Sequence, residues 1–173
     1  MLTSLLLALA EKPGLKVGDF VSPFEPMHVT GPYAGVRQCP VCEWMMLPMV
    51  FIWSNQVSVA ELKPWVAAAQ EEVSKIGSSK VKAFFIDLNA AGQDQARVGW
   101  VKKAFAELNA PDVYAMVRLK SLSKSLKDYK LKPFSEWKIQ VYTAKNRRVE
   151  SVWINPKTGD LEAFRAAIQK LGQ

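Results

Sequence analysis

Two apolar runs separated by one well-marked helix constrain this chain more than any other feature. Leu47–Trp53 and Val81–Leu88 are short and rich in Val, Ile and Phe, as strands buried on both faces require. The first strand itself is read from Pro48 to Trp53. Between the runs, Ser58-Val59-Ala60-Glu61 has the form of a capping box, with Ser58 as N-cap and Glu61 three residues on. Leu62, Trp65, Val66, Ala69, Val73 and Ile76 then recur at helical spacing on one face, and Gly77 ends the run. Pro64 falls early in this helix, as a kink or as its firmer start. Strand, capped helix and strand in that order predict a right-handed crossover between parallel strands.

The pattern continues downstream. Asp94 is placed to cap a second helix with the stripe Val98, Val101, Phe105 and Leu108, which stops before Pro111. Val113–Leu119 is a third strand. Leu122, Leu126 and Tyr129 have the spacing of a short helix within Ser121–Pro133. Lys138–Thr143 and Val149–Ile154 alternate around a turn at Ala144–Arg148 and predict an antiparallel hairpin. Asp160 then caps a last helix burying Leu161, Phe164, Ile168 and Leu171. Asp87, Asp94 and Asp112 all fall at element ends, where capping accounts for them.

Ahead of the first strand, Pro13-Gly14, Ser22-Pro23, Glu25-Pro26 and Gly31-Pro32 break the chain into short pieces. Val17, Phe20, Phe24, Met27 and Val29 are spaced for short strands, read as a hairpin leading towards two cysteines. His28, the only histidine, sits in this hairpin, and a structural role outweighs a ligand role for it. The expected architecture is α/β: a central mixed sheet flanked by helices, with an N-terminal β-hairpin extension.

Length and charge narrow the function classes. The 173 residues, 49% of them hydrophobic, suit one domain over residues 11–173 with a core that needs no disulfide staples. No apolar run approaches the roughly 18 residues of a membrane span. Met1–Ala10 is apolar and ends in Ala8-Leu9-Ala10, a small-residue pattern suited to cleavage, so it reads as a truncated export signal, with an apolar N-terminal arm as the alternative. Export would place the protein in the periplasm, the cell envelope or the extracellular space, where disulfides persist. Five of the seven net positive charges fall between Arg118 and Lys138, where seven basic side chains face two acidic ones. A solvated basic loop is the plain reading of this stretch, and an anionic partner is the sharper one. There is no nucleic-acid motif, Gly-rich phosphate loop, nucleophile elbow or second histidine.

Chemistry is concentrated in Arg37–Asn55, which holds both cysteines as Cys39-Pro40-Val41-Cys42 and three of the six methionines. Three readings are open. The pair can be a redox-active dithiol, with Arg37 nearby to stabilise a thiolate. It can bind a soft ion, since Cys39, Cys42, Met45, Met46 and Met49 form a thiolate and thioether run of the kind Cu(I) accepts. Zinc fits less well, because only His28 offers an obvious third ligand. The pair can also be a structural disulfide, a modest staple of about 2 kcal/mol for so short a loop. Methionines beside Trp44, Phe51 and Trp53 are more often core filler than ligands. The disulfide readings are therefore preferred, with no cofactor expected and Cu(I) as the alternative.

The segments M-V-F-I-W-S-N…V-A-E-L-K-P-W, K-D-Y-K-L and W-K-I-Q-V-Y-T-A-K-N-R-R-V resemble the thioredoxin-like superfamily, its redoxin and peroxiredoxin branch more than thioredoxin itself. They correspond to the first central strand with its kinked active-site helix, a short helix, and the last two strands. The resemblance covers about residues 15 to 171 and implies a thioredoxin-like fold. It does not carry the family's chemistry. The family's reactive cysteine lies between the first central strand and its helix, and here Asn55–Ala60 contains none. The family's cis-proline position falls around Ser135–Trp137, with Pro133 the nearest proline. The chain is therefore expected not to be a thiol peroxidase or thioredoxin of the usual mechanism. V-T-G-P-Y-A-G…C-P-V-C…L-P-M-V-F is similar to uncharacterised exported redoxin-like proteins, for which no activity is implied. A protein thiol or disulfide is the partner this reading implies.

Overall fold

In chain order the elements are β1 (Met27–His28), α1 (Pro40–Glu43), β2 (Met49–Ser54), α2 (Val59–Ile76), β3 (Lys82–Asp87), α3 (Gln95–Leu108), β4 (Val113–Val117), β5 (Ile139–Lys145), β6 (Arg148–Ile154) and α4 (Leu161–Leu171). The structure, a computed structural model, describes residues 13–55, 57–88, 95–118, 127–131 and 137–173. The six strands form one mixed sheet in the order β1-β4-β3-β2-β5-β6. β2, β3 and β4 run parallel, with Met49 opposite Lys82 and Ala83 opposite Val113. β5 and β6 add an antiparallel hairpin on one side of β2, and β1 pairs antiparallel with β4 at the far edge. This is the parallel core, lateral hairpin and N-terminal strand that the spacing predicts.

The central strands owe their place to their composition. All six residues of β2 are buried, and β3 is buried from Ala83 onward. Burying a side chain the size of Phe51 or Ile52 contributes about 1.5–3 kcal/mol, so these runs go to the middle of the sheet. Alternation divides them between two cores. Val50 and Ile52 join Leu62 and Val66 of α2, Val101 and Phe105 of α3, and Phe164 and Ile168 of α4. Met49, Phe51 and Trp53 face the other way, onto Leu15, Phe24, Cys39, Val41 and Tyr129. The three long helices thus share one face. The segment ahead of β2, including α1, covers the second.

Local signals set the helix ends. The Ser58 hydroxyl accepts the Glu61 N–H at 3.3 Å and the Glu61 carboxylate accepts the Ser58 N–H at 2.9 Å, so the capping box forms as written. Gly77 closes α2 at φ 100°, donating its N–H to the Val73 carbonyl at 2.8 Å. Pro64 is accommodated inside α2, which runs unbroken to Ile76. Its ring lacks the N–H that a helical residue would donate to the carbonyl four positions back. Asn146 and Arg147 both take positive φ, 51° and 59°, which makes the β5–β6 connection a two-residue turn of the type that suits strand twist.

Several expectations need correction. Of the short strands expected between Val17 and Val29 only Met27–His28 forms, and Val17 and Phe20 are exposed. The prolines at 13, 23 and 26 remove backbone donors that a longer strand would need. The hairpin itself is minimal: His28 and Val36 pair through backbone at 3.0 Å, and Met27 bridges to Arg37. Asp160 does not cap α4 with its side chain. Its backbone is already helical, and its carboxylate turns back to accept the Lys157 N–H at 2.7 Å. Asp112 is no cap either. It ties β4 to α2, accepting from Ser74 Oγ at 2.6 Å and Gln70 Nε2 at 2.8 Å. Asp94, the cis-proline position, the helix expected around Leu122 and most of the basic stretch lie outside the described residues. Within that stretch Lys130 pairs with Asp19 and Lys138 with Glu61. Among the described residues no helix is long and apolar enough to cross a membrane.

Candidate functional site

Cys39 and Cys42 are joined in a disulfide, with their Cα atoms 5.3 Å apart. Cys39 takes an extended backbone (φ −82°, ψ 107°) and acts as N-cap of α1, and Pro40 supplies the fixed φ of a first helical position. The Cys42 N–H donates to Cys39 Sγ at 3.1 Å. Burial separates the two sulfur residues. Cys39 is only 8% exposed and belongs to the second core, whereas Cys42 lies on the exposed side of α1.

Side chains from three directions hold this turn. His28 Nε2 lies 3.1 Å from the carbonyl of Gln38, the residue before Cys39, and therefore carries the proton there. Nδ1 is then a bare acceptor, buried and without a partner among the described residues. Burial lowers the His28 pKa below its ordinary 6.5, and the bond to Gln38 opposes that only in part, so the ring is neutral. At the other end, the Glu43 carboxylate accepts from Tyr33 Oη at 2.6 Å and from Gln38 Nε2 at 3.2 Å. The hydrogen bond to Glu43 raises the Tyr33 pKa. Trp44 follows, stacked on Phe84 at 5.4 Å and next to Tyr33 and Tyr114. The Lys82 ammonium lies 5.2 Å from the Trp44 ring centroid and 5.4 Å from that of Tyr114. His28, Tyr33, Gln38 and Glu43 were not legible as a group in sequence, because a two-residue strand brings them together.

The other expected site residues scatter. Met49 is 2% exposed and belongs to the same core as Cys39, while Met45 and Met46 are 44% and 81% exposed in the turn beyond α1. Arg37 pairs with Glu25 at 4.0 Å. Among the described residues no three His, Cys, Asp or Glu side chains gather as a metal site would require.

The disulfide lies in the segment between β1 and β2: Arg37 bridges Met27, which pairs with Val117, and the Gln38 N–H donates to the Pro26 carbonyl at 3.4 Å. The strand-to-helix junction follows Ser54, where β2 ends and α2 is about to begin. There Asn55 donates from Nδ2 to the Trp137 carbonyl at 3.2 Å. Beside it is a groove of about 490 Å³ lined by Glu61, Pro64, Trp65, Lys138, Ile139 and Asn155, among others. The same end holds a buried ion pair that sequence reasoning assigned to capping. Asp87 is fully buried and accepts from Arg97 Nε at 2.7 Å and Nη2 at 3.0 Å, with Ser54 Oγ at 3.3 Å. The Arg97 guanidinium stacks on Trp100 at 3.9 Å. A helix starting eight residues beyond a strand's last carboxylate carries no signal that the two will meet as a pair.

No protein-family model and no curated protein sequence matches the chain. Solved structures do match in fold. A putative thiol:disulfide interchange protein DsbE from Chlorobium tepidum aligns with TM-score 0.61 at 15% identity, over 92% of this chain and 99% of its own. A putative protein disulfide isomerase from Bacteroides thetaiotaomicron aligns with TM-score 0.68 at 7% identity, over 93% and 94%. ScoI from Arabidopsis thaliana, solved with copper bound, aligns with TM-score 0.60 at 14% identity, over 90% and 98%. Strand order, the lateral hairpin and these likenesses agree that the chain has the thioredoxin-like fold.

Proposed function

We propose that this protein is an exported thioredoxin-like module whose working group is the Cys39–Cys42 disulfide, displaced from the strand-to-helix junction and slow in exchange with thiols. The observation that carries this reading is the position of the closed pair, on a four-residue helix ahead of β2 and outside the turn between β2 and α2. A thiolate gains little from so short a helix, and a sulfur leaving at Cys39 would carry its charge among apolar side chains. Both effects slow exchange. The partner is a protein thiol or disulfide. Export is supported by the apolar Met1–Ala10 run and by the closed pair, which an oxidising compartment maintains.

The test is an intact mass after alkylation of protein isolated from its native compartment. No added label is expected. Insulin reduction should proceed well below thioredoxin rates and vanish in Cys42→Ser. Turnover at thioredoxin or peroxidase rates would overturn the proposal. A second reading, Cu(I) binding, draws on Met49 sharing a core with Cys39 and on a copper-bound protein of the same fold. It needs both thiols reduced, so two labels after chelator treatment, with copper bound beforehand, would favour it.

A further inference from the structure

The two sulfurs of the disulfide differ in what surrounds them, and that difference gives the exchange a direction. A thiolate displaces at a disulfide sulfur along the line of the S–S bond, arriving from the side opposite the sulfur that leaves. Attack on Cys39 would have to come from the second core, where Cys39 is 8% exposed among Val41, Met49 and Phe51. Attack on Cys42, an exposed residue, comes from solvent. The leaving side is prepared as well. The Cys42 N–H already points at Cys39 Sγ from 3.1 Å. His28 on the Gln38 carbonyl and Tyr33 with Gln38 on Glu43 brace the turn from both ends.

From this we infer that thiols enter at Cys42, and that Cys39 is the departing and resolving sulfur. The inference rests on the reading that the pair exchanges with thiols at all. In the first step a thiolate RS⁻ bonds to Cys42 Sγ, the Cys39–Cys42 bond breaks, and Cys39 takes the electron pair as a thiolate held by the Cys42 N–H. In the second step another thiolate attacks the RS sulfur, forming RSSR and releasing Cys42. Two thiols are oxidised to one disulfide, the pair is reduced, and the two protons of the thiols end on Cys39 and Cys42. The reverse direction runs through the same intermediate, with Cys42 attacking a partner disulfide and Cys39 displacing the partner from Cys42.

The experiment incubates oxidised wild-type protein with glutathione, quenches with acid and locates the glutathionyl group by peptide fragmentation. The expected result is glutathione on Cys42, at least about tenfold over Cys39. A parallel measurement compares folded Cys39→Ser and Cys42→Ser with a chromogenic aromatic disulfide, where the free Cys42 should react at least tenfold faster than the free Cys39. Glutathione on Cys39, or spread evenly, would overturn the direction while leaving exchange intact. No adduct and no reduction at any glutathione concentration would overturn both, and a thiol count without exchange would leave the disulfide structural.

Discussion

Changing one cysteine at a time should separate what the disulfide contributes from what the buried sulfur contributes. Cys39 and Cys42 are three positions apart, so the bond closes a loop of four residues. The chain-entropy treatment gives about 2 kcal/mol of stabilisation for a loop of that size. Cys42 is exposed and its side chain supports no core, so Cys42→Ser should cost only that amount. For a chain of this length the melting temperature should fall by about 4–8 °C, since each kcal/mol moves it by about 2–4 °C. Cys39→Ser loses the same bond and also places a hydroxyl in the second core, at a residue only 8% exposed. Burying a hydroxyl with a single N–H partner adds about 1–3 kcal/mol, for a total of about 3–5 kcal/mol. Urea unfolding with and without reductant measures both. Reduced wild-type protein should match Cys42→Ser, and Cys39→Ser should be less stable than either. Equal losses in the two variants, or a larger loss at Cys42, would refute the assignment of buried and exposed sulfurs.

Three further outcomes follow from the geometry. Arg97→Ala should cost about 3–5 kcal/mol because it strands the fully buried Asp87 with Ser54 as its remaining side-chain partner among the described residues, whereas Asp87→Ala should cost clearly less because Arg97 keeps contact with solvent and Trp100; equal losses in urea unfolding would contradict the picture. His28 takes up its proton in the folded protein only below its ordinary 6.5, so the unfolded chain binds the proton first and stability should decline as pH falls below 6.5; His28→Gln should lack this decline in pH-dependent unfolding. Glu61 is held at about 2 by its bonds to Ser58 and, less, to Lys138, so its contribution is present above pH 4.5 and lost as pH falls towards 2; Glu61→Gln should be less stable by about 1 kcal/mol at pH 7, and that gap should close across the acid range in calorimetry.

What could be read in advance was what local rules encode. The Ser58 box, the Gly77 stop, the two apolar runs and the alternation of β5 and β6 each act within a few residues, so the parallel core and the lateral hairpin followed from them. What escaped depends on contacts across the chain. Asp87 and Asp112 look like caps in sequence because they end elements, and only the packing of α3 and α2 shows that each serves a neighbour. Asp160 was misread by a smaller margin, since a 3₁₀ turn in front of α4 takes its carboxylate. The cysteine pair was legible as a motif, but its burial asymmetry and its shell were not, because His28 and Tyr33 reach it through the narrow β1 turn. The scattering of Met45 and Met46 from Met49 likewise depends on where β2 begins.

The segment ahead of β2 touches the sheet at both ends. Gly18, Asp19 and Val21 exchange backbone bonds with Arg147 and Val149 at the start of β6, while Val29 and Thr30 donate to Ala115 beside β1. One continuous strap therefore covers parts of β6 and, through β1, of β4, where unpaired N–H and C=O groups would otherwise recruit foreign strands. The strap also carries the disulfide. Its bonds to the sheet join residues more than 80 positions apart, so chain closure disfavours their early formation and they belong to the late part of folding. Until it docks, the apolar edge at Val113–Val117 is open to self-association, which makes aggregation, more than loss of any activity, the first cost of loosening the N-terminal region.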